Sequence, residues 1–400
     1  MKAVAIICEY NPLHSGHKFH IDSIKKEFGS DTYVVAVMSS CFVQRGEPAV
    51  FDKYTRAEAT LMAGADLVLE LPCPYSFGSA EYFAFAGVYI ADAIGVCDTL
   101  SFGSESGSAD KLFEIYEKLS SKELKEKTAE IKKGNPTLGY MHLREEAYKS
   151  LFGEEGAQEQ SKSNNILAFE YIKAIKRLDS KLEVHTILRK GDDYNDTKGK
   201  GAYVSASFLR DKIKNGENIS KYVPGNCAKL YYEKTGDTAD ISELEKAVLS
   251  HFRLADPKEL TKYAEVAPGL EYRLVSSAKN ATSLEEFFSL AASKKYTNAR
   301  IRRALLSCML GVYEDDFRKN VPYTRVLAAN ARGQRLLKKA KKISRIPIVS
   351  KLSKIKNMGE DFEHFNSISE RAESLFTLSQ KNAKKADEYL KKTPVVYRDV

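Results

Sequence analysis

Glu9-Tyr10-Asn11-Pro12-Leu13-His14-Ser15-Gly16-His17 stands between an apolar run, Ala3 to Ile7, and a segment with helical spacing at Phe19, Ile21, Ile24 and Phe28. A short strand that turns directly into a helix is the opening unit of a βα repeat. Pro12 stiffens the turn, and Gly16 lets the backbone approach a ligand closely. The unpaired N–H groups and positive dipole end of the helix start form a natural phosphate seat. His14 and His17 lie three residues apart and can face the same anion, as electrostatic partners for phosphate oxygens that gain charge in a transition state. His20, one turn on, is placed to assist. Three of the chain's 7 histidines fall in this segment. A zinc site is the alternative reading, but no carboxylate or thiolate stands as an obvious third ligand.

Outward from this turn the first half of the chain alternates strands and helices. Tyr33 to Met38, Asp66 to Leu71, Thr99 to Phe102 and Leu182 to Leu188 read as strands. Tyr54 to Ala63, Ala80 to Ile94 and Asn164 to Leu178 read as helices, the last capped by Ser163 or Asn164. Residues 108–150 read as helical and charged, and 191–201 as a polar loop. The pattern predicts an α/β fold with a Rossmann-like parallel sheet covered on both faces. Ligands of such sheets bind at the carboxyl ends of the strands, here the loops after Ile7, Met38, Leu71 and Phe102. A second candidate is Val204-Ser205-Ala206-Ser207-Phe208-Leu209-Arg210, where Ser205, Ser207 and Arg210 at a helix start suit phosphate oxygens. Serine is also a routine helix cap, so this motif alone is weak. Beyond about residue 216 the pattern is mostly helical, which divides the chain into 1–215 and 216–400.

The 400 residues carry a formal charge of +8, unevenly spread. Lys294 to Lys356 holds 18 Lys or Arg against 3 acids, a charge of +15 that leaves −7 for the remainder. A basic segment on an otherwise acidic chain is the footprint of a polyanion-binding surface. Tyr296 and Tyr323 interleave with Arg300, Arg302, Arg303 and Arg325, a mixture suited to gripping phosphate and stacking on unpaired bases. The 6 cysteines form no Cys-x-x-Cys pair and match no zinc spacing, so a reduced cytoplasmic location fits. No run approaches the roughly 20 apolar residues that span a bilayer, and Glu9 interrupts the N-terminus too early for a signal peptide. Gln44-Arg45-Gly46-Glu47-Pro48 also follows a strand, with Arg45 a candidate anion partner and Glu47 a candidate base or salt-bridge partner. Asp52-Lys53-x-x-Arg56 and Glu70 are open between structural and chemical roles.

The Asn-Pro-x-His-x-Gly-His loop with a later Ser-x-Ser-x-x-Arg helix start resembles the HxGH nucleotidylyltransferase superfamily. The likeness is closer to one family, the bacterial tRNA(Met) cytidine acetate ligases. It is carried by Glu9 to His17, Val37-Met38-Ser39-Ser40-Cys41-Phe42-Val43-Gln44-Arg45-Gly46-Glu47-Pro48-Ala49 and Gly64-Ala65-Asp66-Leu67-Val68-Leu69-Glu70-Leu71-Pro72. Phe102-Gly103-Ser104-Glu105, Asn164-Asn165-Ile166-Leu167 and Tyr296-Thr297-x-x-Arg300-Ile301-x-Arg303 extend it over nearly the whole chain. The resemblance implies a ligase that joins acetate to ATP as acetyl-adenylate and acetylates N4 of the wobble cytidine in elongator tRNA(Met). It implies that Ile7, Cys8, Glu9, Tyr10, Asn11, Pro12, His14, Gly16, His17 and His20, with Gly103, Asn164 and Arg189, hold ATP, and that Ser205, Ser207 and Arg210 add to that site. His14 and His17 would stabilise the α-phosphate, with Mg²⁺ bridging the leaving pyrophosphate. Lys294, Lys295, Tyr296, Arg300, Arg303 and Arg325 would hold the tRNA, making 1–215 the catalytic part and 216–400 the tRNA-binding part. No protein partner is evident. Leu13, where Phe is commoner, and Ser40-Cys41 depart from the family pattern without removing a group the chemistry needs. No acetyl-CoA pyrophosphate loop and no Gly-x-x-x-x-Gly-Lys run is present. Two rivals remain: a nucleotidylyltransferase that makes a dinucleotide cofactor, and a non-catalytic RNA-binding protein.

Overall fold

The computed structural model describes residues 2–135, 138–154, 163–189, 203–355 and 358–396. Five parallel strands form the centre: β1 (Ala3–Cys8), β2 (Tyr33–Ser39), β5 (Leu67–Leu71), β6 (Thr99–Ser104) and β7 (Glu183–Leu188). Between β2 and β5 lies a small antiparallel hairpin of β3 (Phe42–Val43) and β4 (Glu47–Pro48). Every residue of β1 and β5 is buried, as expected of strands covered on both faces. The covering helices include α1 (Ser15–Phe28), α2 (Lys53–Met62) and α3 (Ala80–Ala93). A Cβ on Gly87 would lie 2.8 Å from Ile7 side-chain atoms, so glycine is what lets α3 pack against β1.

Among these five strands the sheet order is β5-β2-β1-β6-β7. Successive strands build outward from β1 through β2 to β5, then resume on the other side of β1 with β6 and β7. The order reverses between β1 and β6, and a crevice opens there at the carboxyl ends of the strands.

The expectation of a mostly helical region beyond residue 216 holds, with three short strands set into it. β8 (Thr324–Ala329) enters the main sheet antiparallel to β5, β9 (Ile348–Val349) pairs with β8, and β10 (Val395–Val396) pairs with β8 on its outer side. The sheet is therefore built from both sides of residue 215. Thr-Arg-Val-Leu-Ala-Ala has only two β-branched residues and ends in good helix formers. Full burial beside β5 makes it a strand, a case of tertiary context overriding local preference.

A knot of buried charges ties this late segment to the early one. Lys53 Nζ lies 2.6 Å from Glu70 Oε1 and 2.5 Å from Glu373 Oε1, and Arg325 Nη1 lies 3.1 Å from Glu373 Oε1. Ser40 Oγ donates to Glu70 at 2.6 Å, and Arg325 also donates to the Tyr54 hydroxyl. Two cations and two anions pair with one another, as buried charges require, with Arg325 Nε and Glu373 Oε2 left without a hydrogen-bond partner. From residue 216 to β8 the chain is mostly helical, with Leu270–Asn280, Leu284–Ala291 and Asn298–Leu310 among its helices. Among the described residues no helix is long and apolar enough to cross a membrane.

Candidate active site

The helix that follows β1 is capped by imidazoles. His14 is the N-cap of α1, in extended backbone, and its Nδ1 accepts from the Gly16 N–H at 3.1 Å. His17 Nδ1 in turn accepts from the His14 N–H at 3.2 Å. Serine or aspartate usually plays the first part, and glutamate the second. The rings stack with centroids 3.7 Å apart, and Tyr10 packs on His17 at 4.7 Å. A Cβ on Gly16 would lie 2.9 Å from His14 Cε1, so only glycine allows the ring to fold back over its own helix.

This geometry decides the tautomers. A neutral imidazole has one N–H and one acceptor nitrogen. In both rings the acceptor is Nδ1, spent on the backbone, so the proton is on Nε2, the atom left to meet a ligand. Burial, with nearby Arg189 adding, pulls His14 down to about 3. Burial also holds His17 well below the ordinary range, helped by His14, Arg189 and His20. At neutral pH the pair is two uncharged N–H donors rather than two cations.

The crevice beside them has a volume of about 220 Å³. Ile7, Cys8, Glu9, Tyr10 and Asn11 form one wall with His14, Gly16, His17 and His20, and Gly103 and Arg189 stand opposite. A Cβ on Gly103 would meet Arg189 Cγ at 2.9 Å, so the arginine stem lies directly over that glycine. Phe83, Phe102, Leu167, Tyr171, Ile187 and Tyr203 give the remaining wall an apolar and aromatic character, suited to a planar base. Burial pushes the Cys8 thiol far up, so it is a protonated apolar surface and not a nucleophile. Burial also raises Glu9, against the lowering effects of the Gln44 N–H, Arg210, Arg45 and Arg56. Its Oε1 accepts from Gln44 N at 2.8 Å, which ties the hairpin to the end of β1.

Other expected ATP contacts fall elsewhere. Pro12 is buried behind the turn. Ser205 Oγ caps the helix Ala206–Lys214 by accepting from Phe208 N at 3.1 Å. Arg210 donates to Asn11 O and to Ser207 Oγ, both at 3.0 Å, and with Ser207 it lines a neighbouring cleft of about 1090 Å³. The arginine braces the turn rather than facing the crevice. The Asn164 side chain lies outside the described residues. Its neighbour Asn165 is buried, with Oδ1 accepting from Glu105 N at 3.2 Å.

Two polar residues near the crevice escaped the sequence reading. Ser101 and His185 sit opposite each other in the register of β6 and β7, and Ser101 Oγ is 2.8 Å from His20 Nε2. The serine is one of many, and its histidine partner lies 84 residues away, so no local signal joins them. The aromatic wall was legible only as ordinary core.

The HIGH Nucleotidyl Transferase family profile matches residues 1–390. The chain is 35% identical over 393 residues to the tRNA(Met) cytidine acetate ligase of Caldanaerobacter subterraneus, covering 96% of each. It is 37% identical over 369 residues to that of Acetivibrio thermocellus, covering 88% of this chain and 89% of the relative. The chain belongs to the tRNA(Met) cytidine acetate ligase family. Its fold superposes on Thermotoga maritima TmcAL in the apo form with a TM-score of 0.91 at 29% identity. With the same protein bound with alpha-thio ATP the TM-score is 0.88 at 28% identity, and both matches cover 100% of each chain.

In this member of the tRNA(Met) cytidine acetate ligase family the basic window is not one surface. Lys294 and Lys295 are exposed, at the entrance to the helix Asn298–Leu310. Arg303 Nε pairs with Glu265 Oε1 at 2.8 Å, and Arg300 lies 3.7 Å from the same carboxylate. Tyr296 is 5% exposed with its hydroxyl on Pro268 O at 2.7 Å, so the expectation that it stacks on a base is corrected. Tyr323 is likewise buried. Arg325, expected to grip RNA, is 1% exposed and locked to Glu373 in the charge knot. The exposed lysines Lys338, Lys339, Lys341 and Lys342 lie on the helix Ala331–Ile343. That helix starts at the amino ends of the strands, where Arg332 pairs with Asp66 at 3.1 Å, away from the crevice. On the crevice side Arg302 pairs with Glu47 at 2.5 Å. A Cβ on Gly46 would lie 2.6 Å from Arg302 Cβ, so the hairpin packs directly on this helix.

Proposed function

We propose that this chain activates acetate with ATP to acetyl-adenylate and then acetylates N4 of the wobble cytidine of elongator tRNA(Met). The observation that carries the reading is the pair of uncharged Nε2–H donors of His14 and His17, set at a helix start in a crevice with one aromatic wall. Acetate is a poor acyl donor because its oxygen leaves badly. Attack of its carboxylate on the α-phosphorus, with departure of pyrophosphate, yields a mixed anhydride. The cytidine amine then attacks the acyl carbon, AMP departs, and a proton is released. Donors already aimed at the α-phosphate oxygens stabilise the charge that builds there without reorganising.

Among the described residues no group of three or more His, Cys, Asp or Glu could hold a metal ion. Mg²⁺ would enter with ATP and would neutralise charge on the leaving pyrophosphate. For the tRNA, Lys294 and Lys295 with Arg300 and Arg303 supply cationic groups on one helix and its entrance, on the side of the molecule where Arg302 meets the hairpin. All 6 cysteines are free thiols, which supports a reducing compartment such as the cytoplasm.

The test is transfer of labelled acetate to bulk tRNA with and without ATP and Mg²⁺, followed by nucleoside analysis. ATP-dependent label in N4-acetylcytidine is the expected result. Acetate-dependent pyrophosphate exchange without label in RNA would keep the adenylation and overturn the acceptor. Absence of both label and exchange would overturn the reading altogether.

A further inference from the structure

A line of hydrogen bonds leads from the crevice to the protein surface. His20 lines the crevice, and its Nε2 is 2.8 Å from Ser101 Oγ. Ser101 Oγ is 2.9 Å from His185 Nδ1, and His185 Nε2 is 3.0 Å from Glu27 Oε2. Ser101 is fully buried, Phe28 meets the His185 ring edge-on at 4.9 Å, and Glu27 ends the line at the surface.

The direction of the line is set by its last member when the His185 ring is uncharged. A carboxylate accepts and does not donate. With His185 neutral, its proton is on Nε2 toward Glu27, and Nδ1 is an acceptor. The Ser101 hydroxyl donates to that Nδ1, so its oxygen accepts from His20 Nε2–H. Burial, with His185 and Arg189 adding, pulls His20 down to about 3, so the ring holds one proton only. That proton is on Nε2, and His20 Nδ1 keeps a lone pair. His14 and His17 have the reverse arrangement, with Nδ1 spent on the backbone and Nε2–H outward.

We propose that Ser101, His185 and Glu27 are positioning residues that fix His20 as the Nε2–H tautomer, so that its Nδ1 accepts a hydrogen bond from a hydroxyl or amino group on the nucleoside part of ATP. The inference rests on the reading that the crevice holds ATP. A lone pair facing a phosphate oxygen would repel it, so His20 does not share the work of His14 and His17. Three histidines on one helix thus divide into two phosphate donors and one nucleoside acceptor.

The test compares ATP with its 2′-deoxy, 3′-deoxy and 6-deamino analogues in acetate-dependent pyrophosphate exchange, in wild type and His20→Phe. Loss of one hydrogen bond to a fixed acceptor raises the KM of one analogue about tenfold in wild type, and that penalty vanishes in His20→Phe. The analogue affected names the donor. Ser101→Ala shifts KM for ATP in the same direction as His20→Phe and kcat much less, because a ground-state contact is lost. ¹⁵N-histidine NMR of the wild type, expected to show His20 protonated at Nε2 alone, reads the tautomer directly. Protonation at Nδ1, or analogue penalties equal in wild type and His20→Phe, would overturn the proposal. Wild-type protein without acetate-dependent exchange would overturn the ligase reading and with it the ligand assignment, while the NMR spectrum decides the tautomer on its own.

Discussion

Asparagine and glutamine at position 17 isolate one of the two duties of His17, the outward donor. Its Nδ1 closes the helix cap on the His14 N–H at 3.2 Å, and its Nε2–H is the donor toward phosphate. Asparagine Oδ1 occupies the topological place of Nδ1, so His17→Asn keeps the cap and deletes the outward donor. Glutamine at this third helical position closes the capping box through Oε1, as glutamate does, while its Nε2–H₂ reaches the place of the ring Nε2, so His17→Gln keeps both the cap and a donor. A preorganised donor on a developing oxyanion in a dry site is worth about 10²–10³ in rate, or ~3–4 kcal/mol. A cap is worth about 1 kcal/mol of stability. His17→Asn should therefore lose about 10²–10³ in acetate-dependent pyrophosphate exchange with its denaturation midpoint nearly unchanged. His17→Gln should retain measurably more exchange, with its denaturation midpoint also nearly unchanged. Exchange by His17→Asn within a factor of ten of wild type would refute the donor role. Equal activity of the two variants would refute the division of labour between the ring nitrogens.

The buried histidines also set an acid limit. Burial holds the folded pKa of His14 near 3, below its ordinary value of 6.5, so below that value the unfolded chain takes up a proton that the folded chain refuses. Stability is then full at neutral pH and falls as pH drops from 6.5 toward 3, by up to about 1.4 kcal/mol per pH unit for this group. Urea denaturation of His14→Asn should show a shallower acid slope than wild type, and superimposable slopes would contradict the assignment. Arg325→Leu strands two buried carboxylates on one lysine and should cost about 3–5 kcal/mol, read as a lowered denaturation midpoint. A variant with wild-type stability and weakened tRNA binding would restore Arg325 to the RNA surface. Lys294→Glu with Lys295→Glu should raise KM for tRNA and shrink the salt dependence of binding by about two phosphate contacts. An unchanged KM would remove this segment from the interface.

The legible parts of this molecule were those written locally. Four of the five parallel strands announced themselves as short apolar runs between helical segments and the fifth by alternation, and the turn from Glu9 to His17 carried its chemistry in contiguous residues. β8 was not legible, because Leu327-Ala328-Ala329 prefers helix until β5 lies beside it. Charge counting placed Arg325 and Tyr296 on a surface because a count of cations takes no account of Glu373, Glu265 or the carbonyl of Pro268. Ser101 and His185 meet only through the register of two strands far apart in the chain. The imidazole cap lay in plain view, but the tautomers it imposes needed the hydrogen bonds themselves.

The return of Thr324–Ala329 to the sheet bears on how the chain is made. A ribosome releases β5 and Lys53 long before their partners. Until β8 emerges, one side of β5 presents unpaired backbone N–H and C=O groups, and Lys53 and Glu70 wait for Glu373 and Arg325. The nascent first half is thus an open-edged intermediate, held back from its final state until β8 and Glu373 have emerged. Synonymous changes that slow translation between codons 216 and 324 should lengthen that exposed interval and increase the need for chaperones, although the finished protein would be identical.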